Sequence, residues 1–285
     1  MPGMPSSDLV PWPDVWPKKA PWPHYQHMVS ITLLLFVGPL TVAVIGYSTG
    51  ETGIASYSLA LALIGAQIWW LGYHAWFRDY PQGVDELTAY TTDNGVPGLI
   101  IPVSNDAPRR TLLLTASLAG LLAAGAAHAA VQDHESTYVW GALAVYFALF
   151  PVLLTRSKFL RSYLVVTREG VCHRGWTFRS FLPWSSIQMI FAAYNRIPYI
   201  VVFGYEDAQW ERRQLMKVWR HDKPTKFRRS DGKRRIPGIL IQSKMLSADP
   251  AIVLALLGFY LEHRHARDEI ASGAALARAR AGDFR

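Results

Sequence analysis

The chain has 285 residues, 51% of them hydrophobic, yet its mean hydropathy is only +0.10; that excludes a protein that is membrane throughout and points to an apolar half and a polar half. The net charge of +8 divides the same way, since residues 156–285 hold 24 Lys/Arg against 11 Asp/Glu and residues 1–155 hold 5 against 10. The single cysteine, Cys172, excludes an intramolecular disulfide, a CxxC redox pair and a cysteine-based zinc site.

Residues 1–27 interleave Pro11, Pro13, Pro17, Pro21 and Pro23 with Trp12, Trp16, Trp22 and Tyr25. Prolines at this spacing disfavour helix and predict an extended, polyproline-like strip. Its tryptophans suit the headgroup layer of a membrane, where an amphipathic ring finds both an apolar and a wet side; a Pro-rich docking ligand is the other reading. No secretory signal pattern with a small-residue cleavage site is visible at the start.

Four apolar runs approach the ~20 residues that cross ~30 Å of hydrocarbon: 28–47, 56–77, 111–131 and 137–154. The segments between the first and second runs and between the third and fourth contain no Lys or Arg, whereas Lys18, Lys19, Arg78, Arg109, Arg110, Arg156, Lys158 and Arg161 all flank the other ends. The positive-inside bias therefore puts both termini and the middle connection in the cytoplasm of a multi-pass inner (plasma) membrane protein. Trp69, Trp70, Tyr73 and Trp76 mark the inner end of the second span. Within the spans, Gln67 reads as a hydrogen-bonding link between helices, and Ala116, Gly120 and Ala124 form a small-residue stripe for close packing in the bundle or between copies. His128, Asp133, His134 and Glu135 lack metal-ligand spacing and read as solvated loop groups.

The middle connection, 78–110, is too long for a simple turn. Val84–Tyr90 suggests a helical turn and Leu99–Val103 a strand, and three arginines against five acidic residues make the basic C-terminal domain its expected dock.

From Ser162 the period changes to that of short strands: 162–167, 171–175, 177–183, 188–194, 198–204 and 236–243. Trp184-Ser-Ser-Ile187 reads as one helical turn. A final helix begins at Ser247 or Asp249 with Pro250 in its first turn; its apolar stretch of about ten residues is too short to be a fifth span.

Tyr163-Leu-Val-Val-Thr-Arg-Glu-Gly-Val171, then Thr177-Phe-Arg-Ser-Phe-Leu-Pro-Trp-Ser-Ser-Ile187, and the closing stretch from Asp249 to Ile270 resemble the bacterial pleckstrin-homology-like (PH-like) domain. The resemblance covers about 100 residues, and the chain departs from it at Arg264, where members often carry proline after the histidine. It implies strands curled into a PH-like barrel or sandwich and closed by a C-terminal helix. The expected fold is thus a four-helix membrane bundle plus an α+β PH-like domain over 156–285. No phosphoinositide motif is carried over.

Between Arg212 and Arg235 lie 11 Lys/Arg opposed only by Asp222 and Asp231. The cations are Arg212, Arg213, Lys217, Arg220, Lys223 and Lys226, followed by Arg228, Arg229, Lys233, Arg234 and Arg235. With Trp219 and Phe227 interleaved, the segment reads as an extended basic loop. Tethered beside a bilayer, it has the anionic inner leaflet as its nearest partner. A solvated loop that only satisfies the positive-inside bias is the next reading, an acidic protein the one after, and single-stranded nucleic acid the least expected. Phosphate-loop, GxSxG and HExxH patterns are absent, and no cofactor is implied. Cys172 and His173, adjacent on a strand, point to opposite faces and make a poor nucleophile–base pair; Asp85/Glu86 and Asp268/Glu269 read as solvated carboxylates. The expectation is a non-enzymatic scaffold or accessory subunit of a membrane assembly, with a small transporter or channel subunit as the alternative and an enzyme at the inner face as a third reading.

Overall fold

In the computed structural model the described residues are 10–92, 95–132, 134–156, 162–175, 178–214, 227–228 and 235–284. They fall into two compact units, one of Lys19–Arg78 with Asn105–Leu160 and one of Met1–Lys18, Asp79–Ser104 and Arg161–Arg285.

Among the described residues, the helical unit contains four helices long and apolar enough to cross a membrane. The first runs Trp22–Ser48 as α1 (Trp22–Ile31), a π-helical segment (Thr32–Val37) and α2 (Gly38–Ser48). Pro39 explains the interruption: it has no N–H, and its ring crowds the carbonyl four residues back. The chain widens instead, and the Gly38 N–H donates to Leu33, five residues back. α3 (Thr52–Trp76) packs tightly against this segment, because a Cβ at Gly65 would collide with the Leu35 carbonyl. α4 (Asp106–Val131) and α5 (Ser136–Arg156) form the second hairpin, with Thr115, Ala119, Leu122 and Ala129 buried along one face of α4. Leu34, Leu63, Leu113 and Val145 are each more than half exposed, the apolar exterior a bilayer would cover.

The other unit is built on an antiparallel sheet in the order β1-β2-β3-β4-β5-β8. These strands are β1 (Thr88–Thr91), β2 (Pro97–Pro102), β3 (Tyr163–Thr167), β4 (Gly170–Arg174), β5 (Phe178–Pro183) and β8 (Glu211–Gln214). A second sheet pairs β6 (Ile187–Asn195), β7 (Ile197–Gly204) and β11 (Gly238–Gln242). A short ribbon joins β9 (Phe227–Arg228) to β10 (Arg235–Ile236). Both sheets turn apolar side chains into one core: Leu99, Ile101, Leu164, Val166, Val171 and Leu182 from the first, Ile200, Val202, Ile239 and Ile241 from the second. α6 (Pro250–Glu262) fills it with Ile252, Leu256, Leu257 and Tyr260. Asp249 caps α6, its Oδ1 accepting the Ala251 N–H at 2.7 Å. Arg278, on α8 (Ala274–Ala281), holds the turn α7 (Glu269–Ser272) through two 2.9 Å hydrogen bonds to Glu269.

Several expectations need correction. The sheets are not closed as a barrel: apart from an isolated bridge between Val103 and Leu246, no ladder among the described residues joins them. Glu269 is not merely solvated, since it forms that two-point pair with Arg278. Trp12 and Trp16 are not free aromatic rings: Trp16 belongs to the core of the sheet unit and Trp12 packs against it. Trp16 is 2% exposed, its Nε1 donating to Ala193 O at 3.0 Å and to Tyr199 O at 3.3 Å, and Trp12 Nε1 donates to Trp16 O. The first helix starts at Trp22, earlier than the apolar run suggests, with the polyproline-like Pro21 before it. Val84–Leu87 makes only a turn, after which the middle connection supplies β1 and β2 to the sheet.

Trp16→Ala removes a fully packed indole and two carbonyl partners, so it should cost about 3–5 kcal/mol. Trp22→Ala, at a 71% exposed ring, should cost far less. Thermal unfolding of the detergent-purified full chain checks both; equal losses would contradict this placement of Trp16.

Candidate functional site

The register of the larger sheet places arginines side by side. Arg174 on β4 is opposite Arg179 on β5, which is opposite Arg213 on β8. Adjacent strands lie ~4.8 Å apart, so a row of three guanidinium-bearing side chains crosses three strands. Like charges directly opposite one another destabilise a sheet, which makes the row a costly feature to build and an attractive one for an anion. Glu211, opposite Phe181 on the same face, is the only carboxylate these three strands contribute.

Aromatic rings fix part of the cluster. Arg174 lies 5.6 Å from the Tyr163 ring centroid and donates to Tyr163 Oη at 3.4 Å. Arg212, on the opposite face of β8, lies 5.7 Å from the Trp210 ring and donates to Gln214 Oε1 at 3.1 Å. Trp210 is itself held by its Nε1, which donates to the buried Ser180 Oγ at 2.6 Å. Arg179 and Arg213 are exposed and Arg174 is half-buried.

Of the basic residues singled out by the sequence, Arg212 and Arg213 belong to strand β8 rather than to a loop. Their strand comes from pairing with β5, which no local pattern in Glu-Arg-Arg-Gln announces. Lys217, Trp219, Arg220, Lys223 and Lys226 lie outside the described residues, as do Arg229, Lys233 and Arg234. For Phe227, Arg228 and Arg235 the backbone alone is described, with Arg228 opposite Arg235 in the ribbon. The basic run that begins at Arg212 does not point to Arg174 or Arg179. Alternation puts Arg174 on the face of Cys172 and Arg179 on the face of Phe181, but only the register of β4 with β5 brings those faces together.

In the helical unit Gln67 on α3 reaches α4, donating from Nε2 to Ser117 Oγ at 3.0 Å. Ala116, Gly120 and Ala124 are exposed. At the far end His128 contacts Gln132 at 3.3 Å and His134 Nδ1 accepts the Ser136 N–H at 3.2 Å; among the described residues no three His, Cys, Asp or Glu side chains converge as metal ligands.

Cys172 and His173 face opposite sides of β4, Cys172 with the arginine row and His173 towards the core. Burial pushes the Cys172 thiol up, against the pull of Arg179 and Arg174. His173, its ring 5.4 Å from Phe178, is lowered to about 4 by burial. The unfolded chain takes up that proton near 6.5, the folded chain only near 4, so stability is complete above about pH 6.5 and falls as pH drops towards 4. The loss should reach on the order of 3 kcal/mol, and His173→Leu should remove most of it. Melting curves of the full chain between pH 7 and 4 test this; identical acid sensitivity in the variant would contradict it.

The chain matches no family model, no curated protein and no solved structure.

Proposed function

We propose that this is a non-enzymatic, multi-pass plasma-membrane protein whose PH-like cytoplasmic unit docks on anionic lipid headgroups and so serves as a scaffold or accessory subunit of a membrane assembly. The observation that carries the reading is the in-register row Arg174–Arg179–Arg213. It lies on the sheet whose edge strand, β8, leads directly into the basic stretch beginning at residue 215. Lipid phosphates answer such a row with acceptor oxygens on a surface, and each cation near an anionic leaflet contributes roughly 1 kcal/mol of attraction. A chain with membrane-spanning helices keeps anionic headgroups within reach of its other segments.

Chain segments 1–18 and 79–104 belong to the same unit as the C-terminal stretch, so the full chain is the proper material for a test. Held in zwitterionic nanodiscs, it should co-float with liposomes in proportion to their anionic lipid content and release at high salt. Arg174→Gln, Arg179→Gln and Arg213→Gln together should weaken binding roughly tenfold or more. Binding that ignores lipid charge, or survives the three substitutions, would refute lipid docking and move the weight to a protein partner.

Orientation is tested separately in a Cys172→Ser background. Glu51→Cys and Ser136→Cys should react with an impermeant maleimide on intact cells, and Ser272→Cys only after permeabilisation. The reverse pattern would overturn the assignment.

A further inference from the structure

In the helical unit α3 and α4 meet at Gln67 and Ser117 but leave space between them elsewhere. A cleft of about 940 Å3 opens between them, at the upper end of the ~300–1,000 Å3 that ligand sites occupy. Its walls are apolar: Leu63 and Ile64 from α3, Leu113, Leu121 and Ala124 from α4. One end carries all of its charge, from Asp106, Arg109 and Arg110, beside Trp70. There Asp106 is engaged by Arg78 at 3.4 Å. Arg110 lies 4.9 Å from the Trp70 ring centroid. Arg109 is exposed, with no side-chain partner among the described residues. The mouth is therefore cationic and the cleft behind it greasy, with one exception. Gln67 and Ser117 form a polar pair in its wall, seven residues along α4 from Arg110 and so about 10 Å deeper. Gln67 Oε1 is buried there with no hydrogen-bond partner among the described residues.

We infer that this cleft holds one anionic glycerophospholipid of the surrounding bilayer, its phosphate at Arg109 and Arg110 and an acyl chain along Leu63, Leu113 and Leu121. The polarity gradient matches that molecule. A charged headgroup meets guanidiniums at the mouth, and basic sites between membrane helices are where anionic headgroups are held. Hydrocarbon fills the remainder. A second copy of the chain is the competing occupant, given the exposed Ala116 and Gly120 near the cleft. A parallel pair about an axis normal to the membrane would bring both sets of arginines to one depth at the seam, where like charges oppose association. The inference rests on the helices spanning a bilayer and is independent of what the arginine row of the sheet binds.

The test is lipid retention by the full chain. Delipidated protein is offered phosphatidylglycerol or phosphatidylcholine in mild detergent, and bound lipid is counted by native mass spectrometry. One phosphatidylglycerol per chain should be retained in preference to phosphatidylcholine. Arg109→Gln with Arg110→Gln should lower retention roughly tenfold or more. Ala124→Phe on one wall and Leu63→Trp on the other should each exclude the lipid by filling the cleft. Resistance of each variant to carbonate extraction shows whether its spans still insert, which separates loss of the site from failure of the membrane reading. Equal retention of both lipids, retention unchanged by the arginine pair, or a lipid-free dimer would overturn the inference.

Discussion

The pairing of β2 with β3 is the constraint on which the rest of the structure depends. β3 follows the last long helix and is buried along most of its length, Leu164, Val165 and Val166 each being 1% exposed or less. A strand so enclosed needs ladders on both sides, because a buried N–H or carbonyl without a partner is costly. β4 supplies one ladder through a tight hairpin, where a Cβ at Gly170 would strike the Leu182 carbonyl. The other comes from β2, which lies between the second and third long helices in the chain. Trp16, ahead of the first helix, adds a third segment to the same core. Two helix hairpins therefore interrupt one domain in the chain.

The same sheet accounts for the placing of charge. Its inner face is apolar and shared with α6, so cations are confined to the outer face and to the edge strand. Arginines on β8 also keep a further strand from adding to the sheet, a general need of exposed edges. That role asks only for charge somewhere on β8. It does not ask for Arg174 and Arg179, two and one strands inward, to stand in line with Arg213, and the in-line arrangement is what makes the row suited to a phosphate-bearing surface.

Legibility in the sequence followed the range of the interaction that decides each feature. The four long helices could be read because twenty apolar residues are a local signal, and most strands because alternation is. The π segment was hidden, since only the packing of Gly65 against Leu35 and the missing N–H of Pro39 together reveal it. Trp16 is ambiguous in the sequence because a tryptophan among prolines suits a membrane interface and a domain core equally; two carbonyls far along the chain decide between them. β8 and the arginine row depend on register with β5, and barrel closure depends on which edges find partners, so neither is written in any short stretch. Gln67 stands out as a lone polar group in an apolar run, but the cleft around it follows from the placement of two helices, which composition does not encode.

The most direct measurement is a cross-link between strands that the chain separates by two long helices. In full-length protein with Cys172→Ser, which removes the thiol opposite Val165, Ile100→Cys and Val165→Cys occupy facing positions of β2 and β3. Mild oxidation in native membranes should form an intramolecular disulfide at high yield, visible as a shift in gel mobility reversed by reductant. Ile100→Cys paired with Tyr163→Cys, two residues out of register, should form it poorly. Free thiols in the facing pair after oxidation, with the protein folded and membrane-bound, would contradict the three-segment domain and everything argued from it.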